Sequence, residues 1–187
     1  MNKDGNAAVA KTAPAAPDPG NTISLWRIAT DTPQWTADDL SGKGAALRGA
    51  RWNHAGEHAV YASTSISLAA WETRAHFGQG GALPWNRFLV RMDVPVEVWA
   101  AREIMPSPTP LPTPLPTPLP VGWDAIPEGL VSRALGSEWL SAARTALLVV
   151  PSVIVNEENN VLINPAHTHA KRIKAVKVRS FVYDHRV

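Results

Sequence analysis

Residues 146–155 (ALLVVPSVIV) are almost wholly apolar and rich in β-branched side chains. Such side chains are crowded in a helix and comfortable in extended chain, so the run predicts a buried strand. Proline has no amide to give a sheet ladder, so the strand must break or bulge at Pro151-Ser152. A serine hydroxyl at a break in a buried strand needs a partner, either nearby backbone or a ligand.

Other strand candidates surround it in sequence. Residues 23–29 (ISLWRIA) place Leu25, Arg27 and Ala29 on one face. Arg27 is then either an edge-strand arginine in solvent or a guanidinium entering a site to hold phosphate. In residues 87–94 (RFLVRMDV), Phe88, Val90, Met92 and Val94 alternate with Arg87, Leu89, Arg91 and Asp93, the pattern of a half-exposed strand. Residues 161–165 read as a short strand ending in a turn, after a polar turn at 156–160. Residues 173–184 read as the last strand, with Val176, Val178, Ser180 and Val182 on one face. Its basic run, Lys171, Arg172, Lys174, Lys177 and Arg179, is a solvated face or a phosphate-attracting rim. A short helical piece is expected at 36–40, followed by a flexible loop through Gly42, Gly44 and Gly49. A helix is expected over 138–145, entered through Gly136-Ser137.

The densest collection of polar groups lies in residues 49–77. Asn53-His54-Ala55-Gly56 has turn chemistry. Residues 59–62 (AVYA) predict a short strand carrying Tyr61, and one of Ser63, Thr64 and Ser65 caps a helix running to Phe77. At about 100° per residue, Ser67 and Arg74 share one line, the expected wet side. Glu72 lies roughly 140° away, with Leu68, Ala69, Ala75 and His76. A carboxylate there faces the protein body or a cleft and needs partners such as Arg51 or Tyr61. The alternative is a structural ion pair or a half-exposed helix carboxylate.

Composition narrows the class. With 187 residues, 45% of them hydrophobic, the chain can bury one real core. Eighteen basic against 16 acidic residues give a net charge of +2, too balanced to argue for a nucleic-acid surface. The absence of cysteine excludes disulfides and thiolate metal sites, and a reducing cytosol is permitted. His167 and His169 without a third ligand make a poor metal site. No apolar run approaches the length of a membrane span, and Asp4, Lys11 and prolines interrupt any signal-peptide centre. Residues 1–20, rich in Ala, Pro, Gly and Asn, are expected as a flexible tail before one domain over 21–187. Residues 106–120 repeat Leu-Pro-Thr-Pro and predict an extended, polyproline-like surface insertion or a segment for a partner's aromatic groove.

Taken in order, Leu25-Trp26-Arg27, Gly49-x-Arg51-Trp52-Asn53-x-x-Gly56, Tyr61, Ala70-x-Glu72, Val150-Pro151-Ser152 and Leu162-Ile163-Asn164-Pro165-x-His167 resemble the RES domain family over about residues 23–187. The proline repeat departs from the family pattern and falls between motifs. The resemblance implies an α+β fold like that of ADP-ribosyltransferases, with curved mixed or antiparallel sheets around a cleft and flanking short helices. It implies a cytoplasmic bacterial toxin paired with an Xre-like helix-turn-helix antitoxin, with a homodimer as a further option. The implied activity is depletion of NAD⁺, the substrate, by hydrolysis or phosphorolysis of the nicotinamide–ribose bond, without a metal. The alternatives are ADP-ribose transfer to a cellular protein and a non-catalytic nucleotide- or partner-binding module. Carried over residue by residue, the implied catalytic groups are Glu72, Arg51 and Tyr61. Arg27, Arg51, Tyr61, Ser152 and Asn164 would hold the dinucleotide.

Overall fold

A computed structural model describes residues 20–77, 85–105 and 119–184. The expected tail, the loop at 78–84 and most of the proline repeat lie outside the described residues. The strands are β1 (Thr22–Ala29), β2 (Val60–Ser63), β3 (Phe88–Pro95), β4 (Glu103–Ile104), β5 (Leu147–Pro151), β6 (Asn159–Ile163) and β7 (Lys174–Ser180). They form one sheet in the order β4-β5-β6-β2-β1-β3-β7, antiparallel throughout except for the β4–β5 pair. The helices are α1 (Lys43–Arg48), α2 (Ile66–Ala75), α3 (Val96–Ala100) and α4 (Leu130–Ala142), with a 3₁₀ turn at Thr168–Arg172.

The sheet is nearly two sheets. β1 pairs with β3 along its whole length, from Thr22↔Pro95 to Ala29↔Phe88. Between β1 and β2 only Trp26↔Ser63 is in register. One half, β4-β5-β6-β2, therefore meets the other, β1-β3-β7, at a single paired position. Because side chains alternate across a strand, this register defines two faces. Leu25, Val60, Ala62, Val90, Met92, Val94, Leu147, Val149, Val161 and Ile163 form the main core on one of them. Trp26, Ser63, Tyr61 and Asn160 share the other face, where Ile28 and Leu89 receive Ala69 of α2.

Several local expectations changed under tertiary contact. The stretch at 36–40 is a turn, and the helix begins later, at Lys43. The backbone groups of that turn are taken by distant side chains: Ala37 N donates to Asp31 Oδ1 at 2.6 Å, and Arg27 Nη2 donates to the carbonyls of Ala37 and Asp39. β3 is covered on both faces, since Leu89 is buried along with Val90, Met92 and Val94. β7 ends at Ser180 and carries a register shift opposite Leu89/Val90, which breaks the expected alternation at Val178. α4 starts eight residues before Glu138, at Leu130, and runs through Gly136. Gly136 is a contact point, not a boundary: a Cβ there would sit 1.9 Å from the Trp52 carbonyl oxygen. Asn159 and Asn160, read as turn residues, open β6.

Candidate functional site

The site grows from the stop at the end of β5. The strand ends at Pro151, and Ser152, fully buried, accepts from the amides of Ile154 (3.0 Å) and Val155 (3.1 Å). Its own hydrogen goes to Glu72 Oε1 at 2.7 Å. The same oxygen accepts from Asn160 Nδ2 at 2.5 Å, and Asn160 Oδ1 accepts from Ser63 Oγ at 2.7 Å. Ser63 and Asn160 are register partners, so strand pairing itself aligns the carboxamide under the carboxylate.

α2 delivers Glu72 to this point. Ser65 caps it, accepting from Leu68 N at 3.0 Å while donating to Glu158 Oε2 at 2.5 Å. That second bond ties the helix start to the loop that follows Ser152. Leu68 and Ala69 are buried and Ser67 is exposed, as expected, and Glu72 is half-buried. Ala75 and His76, assigned to the inner side, are exposed, so the buried stripe narrows toward the helix end. Among the described residues, both protein bonds to Glu72 land on Oε1 and none reaches Oε2. A carboxylate held by one oxygen keeps the other for a substrate hydroxyl or an acceptor's proton.

The partners expected for Glu72 do other work. Arg51 Nη1 donates to the carbonyls of Trp123 (3.2 Å) and Ala125 (3.0 Å), fixing the turn that brings Trp123 onto Trp52, ring centroids 6.1 Å apart. Its Nε and Nη2 have no protein partner among the described residues. Tyr61 lies two residues from Ser63 on the same face. Its hydroxyl accepts from Trp52 N at 3.1 Å and donates to Asn53 Oδ1 at 2.8 Å, and burial pushes its pKa up. Asn53, buried, spreads its Nδ2 over the carbonyls of Ala45, His54 and Glu57. Gly49 closes the turn at a φ of 73°, with Asn53 O only 2.9 Å from where a Cβ would be. Arg51 is thus presented by a rigid turn, with Tyr61 as its clamp.

Arg27 and Asn164 stand apart from this group. Arg27 follows Trp26 and so projects to the face opposite Ser63 and Asn160. It binds loop carbonyls, its Nε is buried without a partner, and burial lowers its pKa to about 10 against the pull of Asp39 and Asp38. Asn164 is four residues along from Asn160, about 13 Å in an extended strand. It joins α4 to the sheet through Nδ2 to Leu140 O (2.9 Å) and N to Ala146 O (2.9 Å), beside a groove of about 300 Å³ lined by Glu57, His58 and Ser137. The expected set therefore divides: Glu72 and Ser152 meet, Tyr61 shares the sheet face of Ser63 and Asn160 and is bonded to the turn that carries Arg51, and Arg27 and Asn164 lie elsewhere. Asn160 and Ser63 were missed. Their only sequence signal was the pairing of two polar residues at the starts and ends of strands, which has no meaning until the register is known.

His167 and His169 make a local contact, His169 N donating to His167 Nδ1 at 3.1 Å. Among the described residues no group of three or more His, Cys, Asp or Glu is placed to hold a metal ion, and no helix is long and apolar enough to cross a membrane.

A sheet split at one register pair, with a helix carboxylate pinned at the split, defines a class of α+β proteins that relatives identify further. The RES domain model matches residues 24–184, and the chain belongs to that family. It is 54% identical over 166 residues to the Prs ADP-ribosylating toxin of Sphingobium sp. (strain YBL2), covering 89% of this chain and 97% of that one. It is 37% identical over 148 residues to Toxin Res of Photorhabdus laumondii subsp. laumondii, covering 79% and 86%. Among solved structures, a chain of the M. tuberculosis MbcT–MbcA toxin–antitoxin complex superposes with a TM-score of 0.56 at 18% identity, over 87% of this chain and 89% of that one. The expected α+β architecture, a mostly antiparallel sheet with flanking short helices, stands.

Proposed function

We propose that this chain is the toxin of a toxin–antitoxin pair and cleaves the nicotinamide–ribose bond of NAD⁺ at Glu72, passing the ADP-ribosyl group to a protein side chain. The observation that carries this reading is the one-sided pinning of Glu72. As nicotinamide leaves with the bonding electron pair, positive charge grows on the ribose. A carboxylate that cannot rotate away stabilises that charge, and fixed groups of this kind contribute about 3–4 kcal/mol to a barrier. Oε2 then takes the acceptor's proton as the new bond to the ribose carbon forms. The unpaired nitrogens of Arg51 suit a pyrophosphate oxygen. Ser152 acts through Glu72, because its hydroxyl hydrogen is already spent there.

The similarity to a toxin named for ADP-ribosylating Prs moves protein transfer ahead of NAD⁺ depletion by water or phosphate, which stays the second reading. An antitoxin of the Xre-like class would silence the site by covering Arg51 and Oε2. The test is to incubate pure protein with adenylate-labelled NAD⁺ and a bacterial extract. Label fixed to a protein band supports transfer. Free ADP-ribose or its phosphate supports the second reading, and no nicotinamide release refutes both.

A further inference from the structure

On the far flank of α2, two buried polar atoms lack partners among the described residues: Arg87 Nε and the Tyr183 hydroxyl. Glu72 and Thr73 are consecutive, so they project about 100° apart. Glu72 faces β6. Thr73 donates to Ala69 O and lies against Ile28 O of β1, on the side where Tyr183 stands. The two clusters thus occupy opposite flanks of one helix, one over each half of the sheet.

Arg87 immediately precedes β3 and shares the face of Leu89. Its guanidinium rests over Phe77, 5.1 Å from the ring centroid. Tyr183 meets the same ring edge-on at 5.9 Å and is braced by Phe181 at 5.0 Å. Among the described residues, Arg87 makes no side-chain hydrogen bond or ion pair. Burial lowers its pKa, and Tyr183 supplies the opposing influence rather than any carboxylate. Burial also raises the Tyr183 pKa. The neighbouring Thr73 hydroxyl and the charges of Arg87 and Arg74 ease it only in part.

A half-buried cation with no counter-charge, beside a phenolic donor with no acceptor, is costly unless an anion completes both. We propose that Arg87 and Tyr183 form a second binding site, for a phosphate group, on the flank of α2 away from Glu72. A guanidinium fork and a hydroxyl set on a rigid aromatic floor match the several acceptors of a tetrahedral oxyanion, and Arg74 adds charge at its edge. The phosphate belongs either to a nucleotide or to the inorganic ion.

Titration calorimetry at fixed ionic strength separates these sources, with inorganic phosphate in one arm and ADP in the other. Wild type and Glu72→Gln should bind one of the probes alike. Arg87→Gln should weaken it by at least about 10-fold, the loss of one charged hydrogen bond, and Tyr183→Phe by several-fold. The probe that responds names the source. Should Arg87→Gln not fold, Tyr183→Phe decides. The site is overturned if neither probe binds wild type, or if both bind unchanged in the Arg87 and Tyr183 variants. Loss of binding in Glu72→Gln alone would also overturn it, placing the phosphate at the other site.

Discussion

Ser152 Oγ donates to Glu72 Oε1 at 2.7 Å across 80 residues of chain, and in doing so joins the end of β5 to the middle of α2. Asn160 reaches the same oxygen from β6. The carboxylate is therefore oriented by the sheet and merely carried by the helix. This separates variants that lose the charge from variants that lose its aim.

Glu72→Gln removes the charge but keeps an oxygen for Ser152 and Asn160 to bond. Its fold should survive, with thermal melting near that of wild type. Nicotinamide release should fall by at least ~100-fold, the scale of removing one preorganised charged contact. A continuous assay of released nicotinamide checks this, and turnover within a few-fold of wild type would remove Glu72 from the chemistry.

Losing aim has a different signature. Ser152→Ala strips Glu72 of one donor and also removes the buried oxygen that accepts from the amides of Ile154 and Val155. Stability should drop by about 1–3 kcal/mol along with turnover. Asn160→Asp keeps the size but sets a second carboxylate against the first. Like charges favour the protonated acid, so the acid limb of the rate profile should move to higher pH. A purely structural Asn160 would lower stability and leave that limb where it was.

How far the residues announced these features depends on how local each one is. The cap and the stop at Pro151-Ser152 depend on neighbours within a few positions: the stop is where the pattern puts it, and the cap is Ser65, one of the three residues the pattern offers. Asn160 was out of reach because a polar pair in a polar stretch looks like a turn. Only the register with Ser63 makes it a strand residue with a task. Gly136 misled for a similar reason: glycine is common at helix ends, and nothing local reveals the backbone of Trp52 pressed against it. Arg27 reads from its neighbours as an edge-strand arginine or a phosphate ligand, because the carbonyls that take it come from a turn ten or more residues away.

That turn gives a pH test. Asp31 accepts from Ala37 N, and this amide, with help from Lys177 at 3.1 Å, holds its carboxyl below the ordinary 3.8 despite some desolvation. A lowered folded pKa means the stabilisation is complete above the unfolded value and fades as pH falls through the folded one. The melting-temperature gap between wild type and Asp31→Asn should be level above about pH 5 and close at pH values beneath 3.8. Part of it should persist in high salt, because the amide bond is not an ion pair. A gap that widens on acidification would contradict this sign.

The closest backbone approach offers the sharpest stability contrast. In an ordinary helix interior, glycine to alanine gains up to ~1 kcal/mol. Gly44 in α1 should behave so, since its added methyl would meet only Trp35 Cζ2, at 3.8 Å. Gly136 in α4 should reverse the sign. Its methyl would lie 1.9 Å from Trp52 O and 2.7 Å from Trp52 C, and backbone atoms cannot rotate out of the way. α4 would have to lift from the turn that holds Trp52 on Trp123 and seats the Tyr61 hydroxyl on the Trp52 amide. Overpacking of this kind costs about 3 kcal/mol or more, which in a chain of this size is roughly 10 °C of melting temperature. Side-by-side melts of Gly44→Ala and Gly136→Ala should move in opposite directions, and equal shifts would mean that α4 does not press on Trp52. Because the same turn presents Arg51, any Gly136→Ala protein that still folds should also lose affinity for NAD⁺.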